Sequence, residues 1–114
     1  MVMLTEQEML EIAEKFLKKL ESQGSVELML YEEPIKKTYG NIYHFNSKKF
    51  ILTQEMDHAL GGNAPFLVEK ESGRVVGFGT AVKFEDYVNA YENSTLVPTL
   101  HTYWYPDEDR FSHK

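Results

Sequence analysis

The segment between Tyr39 and Tyr91 constrains the fold most, because short apolar runs alternate there with glycine- and proline-containing turns. Between two of these runs, Lys70 to Gly73 has the composition of a hairpin turn, with the glycine at a left-handed position. Consecutive strands joined by short turns favour an antiparallel meander. We therefore expect the middle of the chain to form the greater part of one antiparallel sheet.

Four strands are predicted from the apolar runs and their flanking turns. Their expected ranges are 26–38, 42–45, 66–69 and 74–80. Pro34 restricts the later half of the first strand to a sheet edge or an irregular stretch, because proline has no N–H to donate. Residues 46–49 can turn the chain, and Phe50 to Leu52 are expected to continue the second strand after a bulge.

Two helices flank the predicted sheet. Thr5 and Glu8 have the spacing of a capping box, and the apolar residues that follow recur at helical intervals, which predicts a helix over about 5–22. A second helix is predicted from Phe84 to Tyr91. The sequence thus predicts an α+β fold with an N-terminal helix, a four-stranded antiparallel meander and a C-terminal helix, with both helices on one face of the sheet.

The chain of 114 residues has the length of one domain. We place the α+β domain at residues 1–92 and regard residues 93–114 as a C-terminal extension. Between Leu100 and Tyr105, apolar and polar residues alternate at strand spacing. The extension is therefore expected to be either a fifth strand at the sheet edge or a mobile arm.

Composition excludes several function classes. The chain has no cysteine, which removes thiol catalysis and thiolate metal sites, and its net charge of −6 opposes binding to nucleic acid. No apolar run approaches the ~20 residues of a membrane span, and the N-terminus lacks the pattern of a secretory signal. We expect a cytoplasmic protein that binds neither nucleic acid nor membrane.

Catalytic and metal-binding motifs do not emerge from the sequence. The four histidines lack the spacing of a zinc or iron site, and no serine lies in a nucleophile elbow. We therefore expect no enzymatic activity, no catalytic residue, no metal and no cofactor. His44 and the glycine turn Gly61-Gly62-Asn63 would be the best starting points for a small-ligand site, although such a turn is more often only a turn.

A cluster of aromatic and acidic residues in the C-terminal extension is the strongest candidate for a binding surface. Tyrosine and tryptophan are enriched at interface hot spots, and neighbouring carboxylates would steer a basic partner. The alternative is that Trp104 packs under the sheet and the acidic residues form a solvated end. The predicted partner-binding residues are Tyr103, Trp104, Tyr105, Asp107, Glu108 and Asp109.

Several short stretches of the chain together resemble one known family. They are Tyr39-Gly40, Phe45-Asn46-Ser47-Lys48, the run from Ala59 to Pro65, Ser72-Gly73, Gly79-Thr80-Ala81 and the helix that starts at Phe84. On these stretches, residues 4–92 resemble the immunity protein 35 family (YrhB-like domain) of bacterial polymorphic toxin systems. The positions that carry the motif are Gly40, Asn46, Gly61, Gly62, Asn63, Pro65, Gly73 and Gly79. One departure is Asn41, where the family usually has tryptophan.

The resemblance implies an α+β binding protein without catalytic residues. Its implied role is to neutralise a cognate toxin by occlusion. The acidic composition of this chain is compatible with a basic toxin, and equally with solubility alone. A chaperone-like protein that binds unfolded clients and a small ligand-binding module remain as alternatives. We expect a monomer or a weak homodimer, because an exposed edge strand could pair two copies.

Overall fold

A computed structural model describes residues 3–24, 26–60, 64–80 and 82–113. It has the predicted α+β fold, with an N-terminal helix, antiparallel sheets and a later helix over residues 84–92 that is followed by two more strands. The elements are α1 (Glu6–Ser22), β1 (Leu28–Leu30), β2 (Ile35–Lys37), β3 (Gly40–Tyr43), β4 (Phe45–Ser47), α2 (Lys48–Thr53), β5 (Phe66–Glu69), β6 (Val75–Gly77), α3 (Phe84–Glu92), β7 (Tyr103–Tyr105) and β8 (Arg110–Ser112).

The larger sheet is an antiparallel meander in the order β2-β3-β5-β6-β7-β8. Its register places Leu67 between Ile42 and Val76, and Val76 beside Tyr103. In a second sheet, β1 pairs with β4. The strand predicted over 26–38 is therefore two strands in different sheets, because the chain leaves β1 before Pro34 and resumes at Ile35.

Helix α1 begins with the predicted capping box. The backbone N–H of Thr5 donates to Oε1 of Glu8 at 2.9 Å, and the N–H of Glu8 donates to Oγ1 of Thr5 at 3.1 Å. Its buried residues are Met9, Ala13, Phe16 and Leu17. They share one core with side chains of the sheet that include Val68, Val75 and Trp104.

Helix α3 lies on the opposite face of the sheet, so the expectation that both helices share one face is wrong. Val88 of α3 packs in a second core with Ile42, Leu67 and Val76. These strand residues alternate with those that face α1, and successive side chains in a strand point to opposite faces. The sheet is thus buried on both sides, which explains the uninterrupted apolar runs of β5 and β6.

The structure explains why two positions of the family-like motif are occupied by glycine. Gly73 ends the β5–β6 turn with a φ of +74°, as predicted for a hairpin. A side chain at Gly79 would collide with the hydroxyl of Tyr87, so glycine permits a close approach there. Tyr87 lies in α3, so this close approach is between the chain after β6 and that helix. Gly61, Gly62 and Asn63 lie outside the described residues.

Phe50 to Leu52 belong to α2 and do not continue a strand. Ser47 has extended backbone geometry, and its Oγ accepts a hydrogen bond from the N–H of Phe50 at 3.0 Å. This is an N-cap, which starts a helix directly after β4. The expectation of a turn at 46–49 followed by a bulged strand is therefore wrong.

The C-terminal extension contributes two strands to the larger sheet. β7 is the strand predicted from the alternation before Tyr105, and it pairs with β6. β8 follows a charged turn and pairs with β7, so β8 and not β7 forms the edge. Trp104 is 1% exposed and connects this part of the chain to the core beneath α1.

Candidate partner-binding surfaces

The sheet divides the predicted aromatic cluster between its two faces. Trp104 points towards α1, and its Nε1 donates to Oδ1 of Asp109 at 3.0 Å. Tyr103 points towards α3 and is half-buried. The prediction that Trp104 contacts a partner is therefore wrong: its side chain is buried, which is the alternative that the sequence left open. Tyr103 and Tyr105 remain candidates for such a surface.

Arg74 organises the tyrosines on the α3 face. Its guanidinium lies 4.0 Å from the ring centroid of Tyr103 and makes two hydrogen bonds to the Glu69 carboxylate, at 2.7 and 2.8 Å. The Tyr91 hydroxyl donates to Oε2 of Glu69 at 2.5 Å. The charge of Arg74 is neutralised within the protein, so this face presents rigid aromatic rings more than free charge.

Burial and hydrogen bonding act in opposite directions on this network. Burial alone would raise the pKa of Glu69, but hydrogen bonds from Arg74 and Tyr91 outweigh it, and the net pKa is lowered. Burial, followed by the hydrogen bond to Glu69, raises the pKa of Tyr91. The network is therefore stable with Glu69 ionised and Tyr91 neutral.

The three acidic residues of the β7–β8 turn have different surroundings. Asp109 forms an ion pair with Lys19 at 2.9 Å in addition to its bond with Trp104, and the hydrogen bond from Lys19 is the main reason that its pKa is lowered. Glu108 pairs with Arg110 at 3.0 Å. Asp107 lines a depression of about 380 Å³ whose wall includes two α1 carboxylates, those of Glu8 and Glu11. Asp109 is thus tied to the fold, whereas Asp107 faces an acidic depression.

A second surface, which the sequence did not predict, surrounds α2. This helix has no buried residue, although three consecutive apolar side chains occupy its middle. Leu52 is 64% exposed. Beside it lies a groove of about 680 Å³ with an apolar part and a rim of both charges. Its apolar lining includes Val26, Leu52, Ala59 and Leu60, and its charged lining includes Glu27, Lys48, Lys49 and Asp57.

Polar contacts from Asn46 and Ser47 fix this groove. Oδ1 of the buried Asn46 accepts hydrogen bonds from the backbone N–H of Ser47 and of Leu60, each at 2.8 Å. Oγ of Ser47 donates to the carbonyl of His58 at 2.5 Å. Hydrogen bonds therefore connect both walls, and no side chain of α2 is fully buried. An N-cap serine before Lys48 was the sequence signal for this helix.

The described residues give little support to a small-ligand site at His44. The imidazole of His44 packs against the ring of Phe84, with centroids 5.3 Å apart, and burial lowers its pKa. Across the described ranges, no group of three or more histidine and carboxylate side chains is placed to hold a metal ion. In the same ranges, the helices are too short or too polar to cross a membrane.

Comparison with known proteins gives one partial similarity. The chain is 38% identical over 53 residues to YrhB of Escherichia coli (strain K12), an uncharacterised protein. The aligned segment covers 46% of this chain and 56% of YrhB, so it spans little more than half of that relative. No protein-family model matches the chain. No solved structure matches it either.

Proposed function

We propose that this chain is a non-catalytic binding protein that neutralises a cognate bacterial toxin by occlusion in the cytoplasm of the producing cell. The observation that carries the proposal is the groove beside α2, with the exposed side chain of Leu52 on a helix that has no buried residue. The partial similarity to YrhB is compatible with the suspected link to the immunity protein 35 family. The proposal requires a protein partner and no catalytic activity of this chain.

The α2 groove has the anatomy of a protein interface. Interfaces combine an apolar core with a polar rim, and their hot spots lie in pockets from which the surrounding contacts exclude water. Leu52 would contact the partner at the apolar part, and Lys49 and Asp57 would form the rim. The hydrogen bonds of Asn46 and Ser47 hold the walls before the partner arrives, which lowers the entropic cost of binding.

The β7–β8 turn is proposed as an additional contact for a basic partner. Asp107 is exposed and shares its depression with Glu8 and Glu11, so a cationic side chain would find three carboxylates there against one lysine, Lys15. Such a surface would raise the association rate more than the final affinity. Tyr105 and Glu108 border the same turn and keep their predicted role.

The test begins with affinity capture from the native host, followed by identification of any dominant toxin-like protein by mass spectrometry. An inactive form of that toxin is then titrated calorimetrically with the wild type and with Leu52→Asp. A charge at a central apolar anchor is expected to weaken binding by about 2 kcal/mol or more. Val82→Asp is the matched control, because Val82 is 53% exposed and is not among the residues that line the groove.

Two results would reject the proposal. One is equal affinity of the toxin for the wild type and for Leu52→Asp, since the groove would then make no contact. The other is failure of the wild type to protect cells that express the active toxin, since occlusion must abolish its activity. Protection by the wild type and by Val82→Asp, but not by Leu52→Asp, is the expected outcome.

A chaperone-like role is the second candidate, and exposed apolar side chains elsewhere in the molecule favour it. Met56 is 76% exposed, Val97 is 84% exposed and Leu100 is 65% exposed. Dispersed apolar contacts suit many unfolded clients, whereas one fixed groove suits a dedicated partner. Suppression of the aggregation of reduced insulin at stoichiometric amounts, unaffected by Leu52→Asp, would favour the chaperone role over toxin binding.

A further inference from the structure

The groove beside α2 receives charged side chains from two neighbouring elements. The positions of α2 that line it share one face of the helix, because residues four apart lie one above the other. They are Lys48, Lys49, Leu52 and Thr53. Asp57 lines the same groove from the short 3₁₀ helix Met56–His58, which follows α2 in the chain. The groove thus has a basic side on α2 and an acidic group on the next element.

Lys49 and Asp57 are charges of this groove that lack a counter-charge. Nζ of Lys48 lies 3.7 Å from Oε2 of Glu27, so these two charges offset one another. Within the residues that the structure describes, neither Lys49 nor Asp57 forms an ion pair, and both are exposed. Each can therefore meet an opposite charge of a partner without giving up an internal ion pair.

The apolar part of the groove lies beside one of these charges. Val26 and Leu52 are both exposed, although they line a concave site, and removing apolar surface from water is favourable. Leu52 lies three positions after Lys49 on the same helix face, and residues at this spacing are neighbours on a helix surface. An apolar group of a partner that covers Leu52 would therefore have the Lys49 ammonium next to it.

We propose, resting on the function proposed above, that the α2 groove recognises a surface segment of the protein partner with one apolar, one acidic and one basic side chain. The apolar side chain covers Leu52, the acidic one pairs with Lys49, and the basic one pairs with Asp57. A segment with charges of one sign only would bring a like charge to one of the two rim groups, which is costly. The groove therefore selects partners by charge pattern.

The charge balance of the groove supports selection by pattern and not by net charge. Two lysines and two carboxylates line it, whereas the whole chain has a net charge of −6. The depression at the β7–β8 turn is different, because three carboxylates and one lysine line it. The turn would attract basic surfaces in general, and the groove would then distinguish among the surfaces that arrive.

Random dodecapeptides displayed on phage are a suitable probe, because they require no knowledge of the partner. Selection on the immobilised full chain should enrich peptides that contain an apolar, an acidic and a basic residue. On Lys49→Glu the enriched peptides should lose the acidic residue, and on Asp57→Lys they should lose the basic one. Lys18→Glu is the matched control, since Lys18 is exposed and does not line the groove, and it should enrich the wild-type pattern.

A synthetic copy of one enriched peptide then tests the ion pair at Lys49 by charge exchange, with fluorescence anisotropy as the measurement. Lys49→Glu should weaken binding about fivefold, the upper range for an exposed ion pair, and high salt should reduce this difference. Replacing the acidic residue of the peptide by lysine should restore its affinity for Lys49→Glu. Lys49→Gln removes the charge without reversing it and replaces Lys49→Glu in this comparison if the latter impairs folding.

Peptides with the same charge pattern on the wild type, Lys49→Glu and Asp57→Lys would overturn the proposal, and so would a selection on the wild type that enriches no common pattern. Neither result depends on a toxin, whose neutralisation is measured separately by the protection of cells. If the predicted pattern is enriched but the chain protects against no captured toxin, the proposed function fails and the preference of the groove stands.

Discussion

The β7–β8 region and the α2 groove differ in what holds them in place. Trp104, in β7, is 1% exposed and packs in the α1 core, whereas α2 has no buried residue and depends on the caps and hydrogen bonds of Asn46 and Ser47. Substitutions at the buried positions of the first region are therefore expected to lower stability. Exposed positions around α2 can change with little effect on the fold, which suits a surface that must discriminate between partners.

The largest expected effect is at Trp104. Trp104→Ala removes the largest fully buried side chain and leaves Asp109 without its indole donor. We expect the free energy of unfolding to fall by about 3–5 kcal/mol. Urea denaturation followed by circular dichroism measures this. A loss below about 1 kcal/mol would mean that the side chain is not part of the core.

The second largest expected effect on stability is the loss of the Glu69–Arg74 network. Glu69→Gln keeps the shape of the side chain but removes the charge that accepts hydrogen bonds from Arg74 and Tyr91. Because this pair is partly exposed, we expect a loss of roughly 1–3 kcal/mol in the free energy of unfolding. Glu71→Gln, at an exposed neighbour, is the control and should change that free energy little. Equal effects at both positions would argue against the network.

Loss of the N-cap of α2 should destabilise this helix locally. Ser47→Ala removes the cap of α2 and the bond to His58, and we expect a loss of about 1–2 kcal/mol. Hydrogen exchange should accelerate at residues 50–53 while β5 and β6 remain protected. Uniform acceleration across the chain would show that α2 is coupled to the global core and would weaken the contrast between the two regions.

The smallest expected effect is the contribution of His44 to the pH dependence of stability. Burial lowers the pKa of His44, so the unfolded chain binds this proton at a higher pH than the folded chain does. The stability that neutral His44 contributes is complete above the unfolded pKa of about 6.5 and is lost as the pH falls below it. His44→Phe keeps a ring beside Phe84 and should flatten the loss of stability between about pH 7 and pH 5.

Thermal melts of the wild type and of His44→Phe across this range check the pH prediction. Glu69 does not confound it in the upper part of the window, because its lowered pKa moves its own contribution to more acidic solution. Parallel curves for the two proteins would mean that His44 does not titrate on unfolding in this range.

The sequence predicted those elements whose signals are local. The Thr5–Glu8 capping box defined the start of α1, and Ser72-Gly73 defined the β5–β6 turn, because both depend on residues three positions apart or fewer. The alternation around Trp104 predicted a strand. It could not show which face of the strand would be buried, since that depends on the register with β6 and on where each helix packs.

The errors arose where the local pattern is ambiguous or where tertiary pairing overrides it. Three consecutive apolar residues at Phe50 to Leu52 have no helical or strand period, and only the cap at Ser47 distinguishes the two states. The predicted first strand was divided because β1 and β2 belong to different sheets. The groove beside α2 could not be found from sequence, since it is formed by residues 26 to 60 that converge only in the fold.

The most direct test of the central claim compares binding and stability in one variant. Leu52→Asp should keep its free energy of unfolding within about 0.5 kcal/mol of the wild type, because Leu52 is 64% exposed. Its affinity for the captured toxin should nevertheless fall by at least tenfold. Unchanged affinity with unchanged stability would contradict the account, since the α2 groove would then have no part in recognition.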